Sequence, residues 1–220
     1  MSFSFQFDRP QDPADARFRL ATAARRVIAE LTSSSASSEA FEEARDLVER
    51  AADVLAAREH DRKYQGAEAS LVERVADPSF LDFSPLIGPL NPLAPPVHLV
   101  IEDDTVVGTV VFGDAYEGAP GCVHGGFIAA AFDEVLGMTQ SLAGPPGMTG
   151  RLEVSYRSPT PLHRPLRFVG RVDRVDGRKL HTSATLHHGD TLCAESFGLF
   201  ISVKPEMFER LRQTRANPAG

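Results

Sequence analysis

The sequence has no tryptophan, only three tyrosines and only two cysteines among its 220 residues. Cys122 and Cys193 make neither a disulfide framework nor a metal set, so a reduced cytoplasm is the expected compartment. No apolar run reaches the roughly 18 residues that a membrane span needs. The N-terminus, Met1-Ser2-Phe3-Ser4-Phe5-Gln6-Phe7-Asp8, lacks a basic flank and a continuous apolar core, which argues against a secretory signal. Positive charge is in short supply too: the net charge of −7 argues against a nucleic-acid binder. There is no phosphate loop and no dinucleotide fingerprint. Ser155 stands in no nucleophile elbow, and neither cysteine has a visible His–Asp pair. His181, His187 and His188 share one strand without Cys or carboxylate partners at ligand spacing, so no metal site is expected.

A hydrophobic content of 42% over 220 residues supports one well-cored domain plus an extension, or two small domains. The chain divides into three parts: residues 1–95 with two helices and a Pro-rich connector, a main domain over 96–204, and a tail over 205–220. Phe3, Phe5 and Phe7 alternate as in a short strand or an anchoring arm. Asp12-Pro13-Ala14-Asp15 reads as a helix start, and Leu20, Ala24, Val27 and Leu31 follow at helical spacing. After the Ser-rich link 32–38, a second helix over 39–60 presents Phe41, Ala44, Val48, Ala51 and Leu55 on one face. The two helices are expected to form a hairpin that packs on the main domain or on a partner subunit. Six prolines between Asp77 and Pro96 exclude regular helix or central strand there. That apolar segment reads as a packed connector, with a cover over a ligand pocket as the sharper alternative.

The main domain begins with strands over 97–102 and 105–112, joined by Asp103-Asp104. The stretch from Gly121 to Gln140 follows, opening on a Gly-rich turn and running on through Phe127, Ile128, Ala129, Ala130, Ala131, Phe132, Val135, Leu136 and Met138. These apolar residues cover nearly every direction of a helical wheel, which predicts a buried helix. Asp133 and Glu134 sit in its middle. A carboxylate removed from water is costly unless paired or used, so Asp133 either meets a buried partner or performs chemistry. Further strands run over 150–158, 166–175, 179–187 and 191–203, with Asp176-Gly177 marking a tight hairpin. One apolar helix with one antiparallel sheet predicts an α+β fold in which the sheet wraps the helix. Between Gly150 and Leu180 eight basic residues face three acids, making that window +5 on an acidic protein. Such a face suits a small polyanionic ligand, and it equally describes a solvated sheet surface.

The ordered set His124-Gly125-Gly126, Asp133 nine residues after the His, Thr149 sixteen residues later, the strand 152–159 ending in Pro161-Leu162, and Asp176-Gly177-Arg178-Lys179 resembles the hot-dog-fold acyl-CoA thioesterases. The resemblance is to their phenylacetate-pathway (PaaI) and THEM4-like branch. The likeness covers residues 96–204, about half the chain. It implies hydrolysis of acyl-CoA without metal or redox cofactor, with Asp133 as nucleophile or general base and the Gly125 N–H polarising the thioester carbonyl. Gly126 belongs to the same turn. Thr149 matches a threonine that positions the water or the carboxylate, though an ordinary strand hydroxyl would look alike. His124 either contacts the carbonyl or fixes the turn. Arg157, Arg178 and Lys179 are the candidates for the CoA phosphates. Glu134 is the second-choice acid.

Helix geometry adds a constraint. Eight residues separate Gly125 from Asp133, roughly 12 Å along a helix axis. Since a reacting carbonyl lies about 3–3.5 Å from its attacking atom, one helix cannot serve both ends of one thioester. Two antiparallel helices across a two-fold axis can, so a homodimer or dimer of dimers is expected. The rival readings are a non-catalytic acyl-CoA-binding module and a hot-dog dehydratase.

Overall fold

The structure, a computed structural model, describes residues 14–58, 81–144 and 147–204, the backbone of Ser4–Gln6, and positions 206, 207, 210 and 213. The polar stretch 61–75, Asp12 and most of the expected helical tail lie outside the described residues. The elements in chain order are β1 (Ser4–Gln6), α1 (Ala16–Ser33), α2 (Ser38–Ala56), β2 (His98–Glu102), β3 (Thr105–Val110), α3 (Gly125–Gln140), β4 (Gly147–Tyr156), β5 (Leu166–Asp176), β6 (Lys179–His188) and β7 (Thr191–Ser202). A short 3-10 turn at Asp114–Tyr116 precedes α3.

All seven strands join one antiparallel sheet in the order β1-β2-β3-β5-β6-β7-β4. The α+β arrangement expected from the sequence is present, with the sheet packed on α3. Ile128, Ala131, Phe132, Val135 and Leu136 of the helix are buried against Leu99, Val106, Leu166, Phe168, Leu186 and Phe200 of the strands. Phe132 and Phe168 meet edge to face with centroids 5.0 Å apart, a preferred aromatic geometry. Each such buried side chain contributes about 1.5–3 kcal/mol. The helix lies close enough to β5 that only glycine fits at position 170: a Cβ there would stand 2.3 Å from the Thr139 hydroxyl oxygen.

The N-terminal part differs from expectation in two respects. Helix α1 starts at Asp15, whose carboxylate accepts from the Arg17 N–H at 2.8 Å. Of the stripe Leu20, Ala24, Val27 and Leu31, all but Ala24 are exposed, and the inward contacts come from the neighbouring face, with Ala21 buried and Arg25 donating to the carbonyls of Pro89 and Asn91. Burial holds the Arg25 guanidinium below its usual pKa. Helix α2, capped by Ser37, does not fold back along α1 as a hairpin. Every residue of α2 is exposed.

The segment 81–97 packs on the main domain through Ile87 and Ala94. Turn hydrogen bonds link it internally, and Val97 N–H donates to Leu86 O across it. It reaches α3 directly, where the Ser84 hydroxyl donates to Glu134 at 2.8 Å.

Candidate active site

The Gly-rich turn ahead of α3 is held from several sides. His124 N–H donates to Tyr116 O and Val123 N–H to Thr160 O. Phe112, Tyr116 and Phe127 stack edge to face in sequence, at 5.4 and 4.8 Å. The Tyr116 hydroxyl donates to Leu93 O, and burial pushes its pKa above the usual phenol range. His124 is the N-cap of the helix: its Nδ1 accepts from the Gly126 N–H at 3.0 Å. The imidazole thereby fixes the turn and occupies one of the free N–H groups that every helix start presents. Gly126 is spent internally. Among the described residues no acceptor meets the Gly125 N–H, which stays at the positive end of the helix dipole.

Tyr156, at the end of β4, faces this turn. Its hydroxyl donates to the Gly125 carbonyl at 2.7 Å, and its ring fills the space beside Gly125, where a Cβ would come within 3.1 Å of the phenolic oxygen. The sequence reading took Tyr156 only as a strand residue. Its signal is its parity: it shares a strand face with Leu152 and Val154, the residues of β4 that face the helix.

Asp133 lies two turns further along α3, half-buried, and its Oδ1 accepts from the Thr149 hydroxyl at 2.8 Å. Thr149 has the wrong parity for that contact. Simple alternation from Leu152, Val154 and Tyr156 would put it on the outer face beside Arg151 and Glu153. A bulge between Thr149 and Arg151 corrects this, because Gly150 is left unpaired while Thr149 pairs with Phe200 and Arg151 with Leu199. Bulges commonly re-aim side chains in this way. Glu134, the neighbouring acid, points to the other flank and is met by Ser84.

The structure brings His124, Gly125 and Gly126 together at one end of α3, with Asp133 and Thr149 together further along it. Within one chain it does not bring the two groups to each other. The basic candidates divide as well. Arg157 follows the Tyr156 end of β4 and is ion-paired with Glu195. Lys179 shares a cross-strand row with Ile201 and Met148, so it lies two strand spacings, roughly 10 Å, from the Thr149 end. Beside it, Arg178 donates to Ser202 O at 3.0 Å. Arg178 also lines a shallow groove of about 270 Å³ with Val203, Lys204, Glu206, Met207 and Arg210. A separate concavity of about 380 Å³ sits on the outer sheet face around Ser155, Ser183 and Phe197, away from α3.

The stretch from Pro120 to Glu195 matches the sequence family described as "Thioesterase superfamily". Among curated proteins, the acyl-coenzyme A thioesterase THEM4 of Bos taurus is 36% identical over 96 residues, which is 43% of this chain and 39% of that protein. The THEM4 of Mus musculus is 37% identical over 92 residues, 41% of this chain and 40% of that protein. The aligned region is thus about two fifths of the length of these relatives. A solved structure described as a thioesterase superfamily protein superposes with a TM-score of 0.81 at 33% identity, covering 90% of this chain and 96% of the other.

Proposed function

Since this chain belongs to the thioesterase superfamily, we propose that it hydrolyses acyl-CoA thioesters, using sites shared between two copies of the chain. Water adds to the thioester carbonyl, the C–S bond breaks, and the products are a carboxylic acid and the CoA thiol. Asp133 acts either as general base, taking a proton from water, or as nucleophile, forming an anhydride that water then cleaves. Thr149 holds the carboxylate in place through the 2.8 Å hydrogen bond. The Gly125 N–H of the partner subunit polarises the carbonyl, as donors aimed at a developing oxyanion do.

The observation that carries this reading is the pairing of an unoccupied Gly125 N–H with a Thr149-held Asp133 on the same helix, too far apart to meet at one carbonyl. Two further features favour a second copy beside α3. Gly126, Ala129, Ala130, Asp133 and Gly137 form a face of small residues that the chain's own elements do not fully bury. Strand β4 is an edge of the sheet, with its outer backbone groups available for pairing. Antiparallel apposition of two β4 edges sets Gly125, Tyr156 and Arg157 of the partner subunit beside Asp133, Thr149, Arg178 and Lys179 of the first. The separated basic residues then converge where CoA phosphates would lie.

Heterodimer complementation tests the reading. Gly125→Pro removes the N–H; proline is tolerated at a first helical position, His124 already has the extended backbone (ψ 131) that a residue before proline requires, and the Tyr156 ring, 3.1 Å from the added Cβ, must yield slightly to admit it. Each homodimer, Gly125→Pro or Asp133→Asn, should be nearly inactive toward a panel of acyl-CoAs assayed by thiol release. A doubly tagged heterodimer of the two should recover about half of wild-type activity, one good site of two. A folded heterodimer no more active than either parent sinks the shared site. Acyl-CoA binding without thiol release by the wild type sinks the hydrolase reading itself.

A further inference from the structure

Helix α2 is a second place where the chain is unfinished, and it involves none of the residues assigned to chemistry. All of its 19 residues are exposed, including Phe41, Leu47, Val48, Val54 and Leu55. Of the fifteen exposed large hydrophobic residues among the described residues, five are on α2 and three more, Leu20, Val27 and Leu31, are on α1. The exposed apolar surface is therefore concentrated on the arm. An isolated helix of this length is marginal in water, and a single apolar stripe on a surface helix ordinarily faces a core. Among the described residues nothing supplies that core.

The stripe has the geometry of a helix–helix seam. Phe41, Ala44, Val48, Ala51 and Leu55 are spaced by three, four, three and four residues, the repeat that brings two helices together along their length. Leu47 and Val54 widen it on one side, and Ala52 lies on the other. The acids lie elsewhere: Glu42, Glu43, Asp46, Glu49 and Asp53 occupy the opposite face. Arg45, which flanks the seam, is drawn toward that face by ion pairs with Glu42, Asp46 and Glu49 of its own helix. Two copies of the stripe can therefore meet without opposing like charges.

We propose that α2 pairs antiparallel with α2 of a second copy of this chain, about a two-fold axis level with Glu49 and Arg50. In that register the layers on either side of the axis set a bulky residue against an alanine: Val48 meets Ala51 of the partner subunit and Leu55 meets Ala44 of the partner subunit, while Leu47 runs along the same edge as Val54 of the partner subunit and Phe41 lies opposite Arg58 of the partner subunit. Self-complementarity of size and absence of charge conflict make a second copy the occupant. A lipid surface fits poorly, because helices that lie on membranes carry basic polar faces. Here Glu39, Glu42, Glu43, Asp46, Glu49 and Asp53 outnumber Arg45 and Arg50. The pairing holds whether or not the chain hydrolyses thioesters.

Cysteine cross-linking in the full chain tests the register. A disulfide requires Cα atoms within about 7 Å. Chains carrying Val48→Cys and chains carrying Ala51→Cys, each with Cys122→Ala, are co-expressed with different tags and oxidised. The expected product is a covalent mixed dimer on non-reducing gels. Asp53→Cys chains, substituted on the outer face, should stay unlinked. In parallel, Val48→Glu should lower the molar mass measured by light scattering while leaving the circular dichroism of the folded chain intact. Equal linking of Asp53→Cys and the 48/51 pair would overturn the proposal, as would an unchanged mass for Val48→Glu. Sedimentation of the wild type with anionic phosphatidylserine vesicles, lost in Val48→Glu, would also overturn it and assign the stripe to a lipid surface.

Discussion

Helix α3 has two flanks, each with a carboxylate that receives a hydroxyl hydrogen bond of 2.8 Å. On one flank Asp133 meets Thr149 of β4; on the other Glu134 meets Ser84 of the connector. The local chemistry is nearly identical, yet the surroundings differ. The connector flank is closed by the chain itself, where buried Ile87 donates its N–H to the same Ser84 hydroxyl. The β4 flank opens on a face of small helix residues and on the edge of the sheet. On the function proposed above, the same pair of functional groups serves as a fastening on the closed flank and as a reactive site on the open one. What decides between them is whether a substrate and a second chain can arrive.

Substitutions on both flanks should separate these roles. Asp133→Asn keeps the size of the side chain and removes the charge; turnover of acyl-CoA should fall by at least ~100-fold with little change in substrate affinity. Near-normal hydrolysis would move the reaction to Glu134 and erase the distinction between flanks. Thr149→Val leaves Asp133 without its hydroxyl partner, and kcat should drop by about tenfold, in line with a hydrogen bond to a charged group. Arg178→Ala with Lys179→Ala should raise KM for acyl-CoA by about tenfold and spare a short thioester lacking the nucleotide; equal damage to both substrates would assign the pair to folding. Tyr156→Phe keeps the ring against Gly125 and loses its hydrogen bond, so a fall in kcat of about threefold is expected with wild-type urea stability. On the closed flank, Ser84→Ala should cost about 1 kcal/mol in urea denaturation and leave kcat within a factor of about two. A large activity loss there would mean that the connector helps to shape the site.

Much of this was legible in the sequence because several signals agreed. The all-round apolar pattern of residues 127–138 identified the buried helix, and tight turns at Asp103-Asp104 and Asp176-Gly177 delimited the strands. The likeness to the hot-dog thioesterases, carried by glycine at 125 and 126 with an acid at 133, marks the two ends of the proposed site, and the 12 Å argument needs only helix rise. What was not legible depended on contacts between distant segments. Tyr156 looks like any strand aromatic until β4 is laid beside α3. The helix-facing orientation of Thr149 contradicts simple alternation, so the resemblance to the hot-dog thioesterases, rather than strand parity, marks it. In α1 the stripe of Leu20, Ala24, Val27 and Leu31 is legible, but the contacts with the rest of the chain come from Ala21 and Arg25. Hydrophobic periodicity reports that a face will be covered, not which body covers it. The expected hairpin failed for the same reason: α1 and α2 each carry a stripe, but the sequence does not say that the stripes are for each other.

The extra residue in β4 has an evolutionary consequence. A strand is a two-beat pattern, and Gly150 inserts a half-step into it, so that Thr149 and Tyr156 face the helix together although seven positions separate them. Substituting Thr149 removes one hydroxyl. Deleting Gly150 would keep every side chain and restore regular pairing, yet it would turn the hydroxyl away from Asp133. Loss of this positioning group is thus one codon deletion away, and so is its recovery. A lineage could switch the contact off and on by changing the length of the strand, with no change in the chemistry it encodes.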